Sequence, residues 1–206
     1  AREVYGSYSA REHTFCMQDA GLAREACVLR KEIEQGVAQY GIWKHPKFGA
    51  IYAYEVDGFG NANLMDDANV PSLLSLPYLE VCLPDDAVYR NTRAFVLSRE
   101  NPFFYKGKFA EGIGSPHTPK GYIWPIALCM QAMTSTSTEE KAVILNTLMR
   151  THAGTRMMHE SFDPKDPTKY TRPWFAWANS IFGEMILRMN ENRSLETVIA
   201  QAKAML

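Results

Sequence analysis

The sequence predicts an all-α fold with a minor β element, and three observations carry that reading. Apolar residues recur at steps of three or four along most of the chain, start and stop residues punctuate those stripes, and strand-like alternation is confined to AIYAYEVDGFG at 50–60, which reads as a small hairpin. Leu22, Ala26, Leu29, Ile33, Val37 and Tyr40 form the stripe of an amphipathic helix over about 22–40. Asp67 suits a cap before a short helix near 68–78, and Asp85 and Asp86 open another over 87–98. YIWPIALCMQAM reads as a buried helix with Pro125 in its first turn, where a missing N–H costs nothing. Ser137 to Glu140 is a capping-box pattern for a helix over 138–152, which Gly154 stops. Pro173 starts a long apolar helix over 173–190, with Trp174 and Trp177 on one face, and Ser194 caps the last, 195–205. The count is seven helices.

The connections alternate in length. Those at 41–67, 99–121 and 153–172 are long, and those at 79–86, 134–137 and 191–194 are short. Helices joined by short loops are antiparallel neighbours, so the long connections are expected to emerge together at one end of the helical stack. Connections of that length in a compact domain are normally functional or disordered, and their Gly, Pro and aromatic content favours order.

Composition narrows the function classes. In 206 residues, 22 Lys+Arg stand against 23 Asp+Glu, with no long run of one sign, so nucleic acid is not an expected partner. No apolar run reaches the length of a membrane span, and the first residues, AREVYGSYSAREH, hold no apolar core of a signal peptide. The compartment is left open. Cys16, Cys27, Cys82 and Cys129 are far apart with no C-x-x-C pair, which favours buried thiols over a zinc site or disulfide framework. Asn192-Arg193-Ser194 is a lone glycosylation sequon, weak evidence for secretion. P-loop, G-x-G-x-x-G, G-x-S-x-G and H-E-x-x-H patterns are all missing, so no cofactor or metal is expected.

The unusual chemistry sits in the long connections. Met157-Met158-His159-Glu160-Ser161-Phe162 places a carboxylate among apolar neighbours, a setting that can raise its pKa for proton transfer, although a loop acceptor is the plainer reading. Glu55 and Asp57 with Asp66 and Asp67 form a second acidic group, in which Asp67 caps and Asp66 and Glu55 face the cavity. Glu111-Gly-Ile-Gly-Ser-Pro-His117 is a third, whose small residues allow backbone to approach a ligand. Arg172-Pro173-Trp174 is the fourth, with Trp174 beside the loop as an aromatic platform. With 12% aromatic residues, carboxylates rimmed by Trp and Tyr fit a carbohydrate cleft, because glycoside hydrolysis needs two carboxyl groups and flat faces for sugar rings.

At this point a family resemblance becomes specific. IYAYEVDGFGN, LMDDANVPSLLSLPYL, NPFFYKGK, EGIGSPHT, YIWPIALCMQAMTS, MHESFDP and TRPWFAWANSIFGE resemble, in order from about Leu22 to Met189, the motifs of glycoside hydrolase family 125, the metal-independent exo-α-1,6-mannosidases. The resemblance implies an (α/α)6 barrel, of which this chain supplies roughly the second half plus a small β-hairpin. It also implies an inverting reaction that removes terminal α-1,6-linked mannose from an oligosaccharide or N-glycan, without metal or cofactor. Glu160 takes the general-base position of the family, and Asp66, Asp67, Glu55, His117, Glu111, Arg172 and Trp174 fall in its substrate-binding motifs.

Three departures accompany it. Such a barrel has twelve helices against the seven read here, so 1–206 is expected to be an incomplete catalytic domain whose partner is the missing N-terminal half. The family's R-D-S and R-P-S-D-D segments, the latter carrying the general acid, do not occur, and residues 1–20 match none of its motifs. Arg156 and Met157 stand where the family pattern has Gly and Phe. The other classes open to the sequence are a sugar-binding protein without the chemistry and a structural helical fragment.

Overall fold

A computed structural model describes residues 19–205. Among these residues are six helices: α1 (Ala20–Tyr40), α2 (Ala87–Val96), α3 (Pro125–Met133), α4 (Thr138–Thr151), α5 (Ala176–Glu191) and α6 (Leu195–Ala204). Four two-stranded antiparallel hairpins accompany them: β1–β2 (Ile42–His45, Gly49–Tyr52), β3–β4 (Glu55–Val56, Ala62–Asn63), β5–β6 (Phe104–Lys106, Glu111–Ile113) and β7–β8 (Ser161–Asp163, Asp166–Thr171). The chain is mostly helical, and each long connection carries at least one hairpin.

The core centres on α3. Ile126, Ala127, Leu128, Cys129, Met130 and Ala132 are all buried, so the helix has almost no solvent face, as its continuous apolar sequence requires. It packs against α4 and α5, and α6 closes on α4. Asp86 and Ser137 cap α2 and α4 by accepting from Tyr89 N and Glu140 N at 2.9 and 3.2 Å. Only half of the expected capping box forms, because the Glu140 carboxylate turns away from the Ser137 N–H. It accepts instead from Gln131 Nε2, the Ser135 hydroxyl and Arg93, tying α2, α3 and α4 together. Burial alone would raise the Glu140 pKa, but these donors and the Arg93 charge hold it below the usual carboxylate range.

Four sequence expectations change. The segment 68–78 is a run of turns rather than a helix. Its hydrogen bonds run Ser75 N to Ser72 O and Leu76 N to Leu73 O, the Ser72 and Ser75 hydroxyls compete for the same backbone, and Pro77 has no N–H to continue a ladder. Residues 50–60 contribute strands to two hairpins rather than forming one, and Asp57 with Gly58 and Gly60 (φ +74° and +98°) makes the turn of the second. The last long helix begins at Ala176, because Phe175 is still extended (φ −124°, ψ 108°), its N–H bonded to Met158 O at 3.2 Å. Ser194 makes no cap for α6; its hydroxyl donates to Met189 O at the end of α5.

Cys129 is buried and Cys27 and Cys82 half-buried, all as free thiols, while Cys16 lies outside the described residues. Among the described residues, no helix is long and apolar enough to cross a membrane. The expected stripe on α1 is present, yet none of its residues is buried; Leu22, Leu29, Ile33, Val37 and Tyr40 are exposed.

Candidate active site

Hydrogen bonds draw the three long connections together, as their alternation predicted. Asp66 N donates to Asn101 Oδ1 and Ala68 N to Gly114 O, which joins the first to the second. Phe109 N donates to Pro164 O, and Ile123 and Phe162 exchange a bridge, which joins the second to the third. The glycine expected to let a ligand approach is used internally. A Cβ at Gly114 would lie 2.1 Å from Tyr122 O and 2.7 Å from the Tyr105 ring, so Gly114 serves close packing of the loops on each other.

The two adjacent aspartates divide their work in the opposite way to the expectation. Asp66 is fully buried and its two oxygens accept from Leu73 N and Leu74 N at 2.8 and 3.0 Å, so it, rather than Asp67, holds the start of the turn segment. Burial pushes its pKa up to about 7, against the pull of those amides, and the neighbouring Asp67 charge adds to the rise. Asp67 closes an Asx turn on Asn69. Burial raises the Tyr54 phenol, and the charges of Asp67, Asp66 and Glu55 raise it further. Glu55 accepts from its cross-strand partner Asn63 and lines a groove of about 790 Å³ between α1, the first two hairpins and the 71–81 turns.

Glu111 and His117 stand apart from that group. Glu111 pairs across its hairpin with Lys106 in an exposed ion pair. His117 is exposed at the 115–118 turn, its backbone N–H bonded to Ser115 Oγ.

Glu160 lies at the start of the last hairpin with its side chain 13% exposed. Asn179 in the first turn of α5 receives Met158 N on its Oδ1 at 3.0 Å and returns a bond from Nδ2 to Met158 O at 2.9 Å, which anchors the strand leading to Glu160. Glu160 N donates to Thr171 O at 3.2 Å, and Arg172 Nε lies 3.4 Å from Glu160 Oε1. Arg172 also sits over the Phe175 ring, and Trp174 beside it is 60% exposed. The two tryptophans are therefore not a buried pair: Trp174 precedes the helix, and Trp177 is also exposed.

Sequence reasoning gave no task to His159, whose ring is buried and stacked flat on Tyr170. That contact crosses a hairpin, and no local pattern announces it. Arg156, where the resemblance has Gly, adopts φ +61°, a left-handed conformation that costs a side-chain-bearing residue about 1–2 kcal/mol. Arg156→Gly is expected to raise Tm by about 2 °C, net of the added chain entropy of glycine. A fall of that size in a calorimetric melt would contradict it. Among the described residues, no cluster of three or more His, Cys, Asp or Glu could hold a metal ion.

Residues 5–187 match the metal-independent alpha-mannosidase (GH125) family, reaching into the stretch that motif reading left unassigned. A Schizosaccharomyces pombe protein, the meiotically up-regulated gene 157 protein, is 51% identical over 175 residues, which is 84% of this chain and 34% of that one. A solved Streptococcus pneumoniae protein, described among widely distributed metal-independent alpha mannosidases and in a non-productive complex with alpha-1,6-mannobiose, superposes with a TM-score of 0.84 at 46% identity. That likeness covers 87% of this chain and 43% of the bacterial one, so the chain spans less than half the length of either relative. A family match over most of its residues, with the Glu160 strand and the three joined connections in place, means that this chain belongs to the metal-independent alpha-mannosidase family, GH125.

Proposed function

We propose that the protein containing this chain is an exo-acting α-1,6-mannosidase that works with inversion, with Glu160 as general base. The observation that carries it is the Glu160 constellation. A mostly buried carboxylate is held by its own backbone and by α5 and meets one guanidinium, that of Arg172, two residues before the exposed Trp174. Family membership and the α-1,6-mannobiose bound by the bacterial relative support the substrate class. Arg172 and Trp174 are the sugar contacts nearest the base, and Asp67, Glu55, His117 and Glu111 belong to the rim. Asp66 acts beneath that rim by holding the 72–76 turns.

In such a reaction the base takes a proton from water as it attacks the anomeric carbon, while a carboxylic acid protonates the departing oxygen. The two carboxyl groups lie about 6.5–9.5 Å apart to admit that water. The acid comes from a part of an (α/α)6 barrel beyond these residues. The unburied apolar stripe of α1 and the apolar groove beside it support that reading, since an amphipathic helix normally hides its stripe against another element.

The test is hydrolysis of α-1,6-mannobiose, followed by NMR, by residues 1–206 and by the natural full-length protein. Expected is release of the non-reducing mannose as the β-anomer by the full-length protein, read against the α/β mixture of the reducing-end sugar, and no turnover by 1–206. Release of the non-reducing mannose as the α-anomer would overturn inversion. Turnover by 1–206 would place the acid within these residues. Thermal stabilisation by mannose without hydrolysis in either would leave a sugar-binding protein.

A further inference from the structure

His159 is the most constrained polar side chain next to Glu160, and the proposed chemistry does not use it. Its ring is 1% exposed, its plane stacks on Tyr170 at 3.8 Å and 3°, and Nδ1 lies 2.9 Å from Pro173 O. A carbonyl only accepts, so Nδ1 carries the hydrogen. Nε2 is buried and has no hydrogen-bond partner among the described residues, so the ring is held by its Nδ1 edge and its face. Burial, more than any neighbour, holds the imidazole below its ordinary pKa.

These two contacts bracket Arg172. Tyr170 precedes it by two residues and Pro173 follows it directly, while Arg172 itself holds φ +46°. A side-chain-bearing residue keeps that conformation only where its surroundings impose it. The same Arg172 meets Glu160 Oε1 at 3.4 Å, and Glu160 N donates to Thr171 O. Residues 159 and 160 thus grip residues 170–173 by four separate contacts, with the strained residue in the middle.

We infer that His159 is a positioning residue: its Nδ1–H bond to Pro173 O and its stack on Tyr170 hold the Arg172 backbone, and so set where the Arg172 guanidinium meets the Glu160 carboxylate. The catalytic consequence rests on the reading of Glu160 as base; the geometric one does not. A residue that merely filled space would be replaced by another flat ring without loss.

The test uses the full-length protein with α-1,6-mannobiose. His159→Phe keeps the flat ring and loses the donor, His159→Asn keeps an N–H near the Nδ1 position, and His159→Gln moves the N–H toward Nε2. Expected for His159→Phe is a kcat at least tenfold lower with KM within about twofold, and a crystal structure in which Arg172 has left Glu160. His159→Asn is expected to recover part of the loss and to exceed His159→Gln by about tenfold, a comparison that stands even if the Phe variant does not fold. A folded His159→Phe protein with kcat within twofold of the parent would overturn the proposal, and so would equal Asn and Gln variants. An unchanged Arg172–Glu160 contact in the variant crystal would overturn it whether or not the protein hydrolyses mannobiose. Undiminished activity of Glu160→Gln would instead remove the base assignment, and the crystal comparison would then decide His159 on its own.

Discussion

Glu160→Gln is expected to lower kcat on α-1,6-mannobiose by about 10²- to 10⁴-fold in the full-length protein, the usual contribution of a positioned general base. The change is isosteric and removes only the ability to accept a proton. It also weakens the pair with Arg172, but that guanidinium is 63% exposed, and pairs of that kind contribute about 0–1 kcal/mol. Tm should therefore hold within a few degrees while turnover collapses, which separates lost chemistry from lost folding. Azide offers a second discrimination, because an anionic nucleophile needs no base. It should restore consumption of mannobiose by the variant and yield the β-mannosyl azide. A variant that keeps parental kcat, or one that azide leaves inactive although it still binds mannobiose, would remove Glu160 from the base role.

The largest expected effect on stability lies at Asp66. Asp66→Ala leaves Leu73 N–H and Leu74 N–H buried without acceptors, and each such group costs about 1–3 kcal/mol, so a loss of roughly 2–6 kcal/mol is expected in denaturant unfolding. Asp66→Asn probes the charge. The folded protein holds the Asp66 proton up to about pH 7 against an ordinary value of 3.8, so folding favours the protonated form. The stability this provides is present in full below the ordinary value and is lost as pH rises through about 7. Asn carries no such dependence. The stability gap between parent and Asp66→Asn should thus narrow between about pH 4.5 and 7.5, and a gap that stays constant or widens would contradict the desolvated carboxyl.

Both expectations concern residues whose importance was visible in the sequence, but for different reasons. Glu160 was legible as a motif residue, and the structure adds the Asn179 and Arg172 contacts around it. Asp66 was legible only as one of two adjacent carboxylates. Spacing made Asp67 the better cap; Asp66 took the amides because residues 72–76 fold back over it as turns. A prior based on neighbours in sequence cannot see a donor seven or eight residues away that arrives by a non-helical path.

The same distinction runs through the fold. The helices at 20–40, 87–96, 125–133, 138–151, 176–191 and 195–204 were legible because periodicity, caps and proline positions act within about one turn of chain. The hairpins at 104–113 and 161–171 were not, since strands of three to six residues carry little alternation and are decided by the partner they meet.

By itself, then, the sequence determined a mostly helical chain, three long connections carrying the polar chemistry, and the motifs of a mannosidase family. Tertiary structure alone decided that those connections bond to one another, that Asp66 is buried while Trp174 is bare, and that His159 grips the turn at Arg172. The physical reason is range: helix stripes and caps are local properties, whereas burial, stacking and backbone strain depend on contacts between residues that only the folded chain brings together.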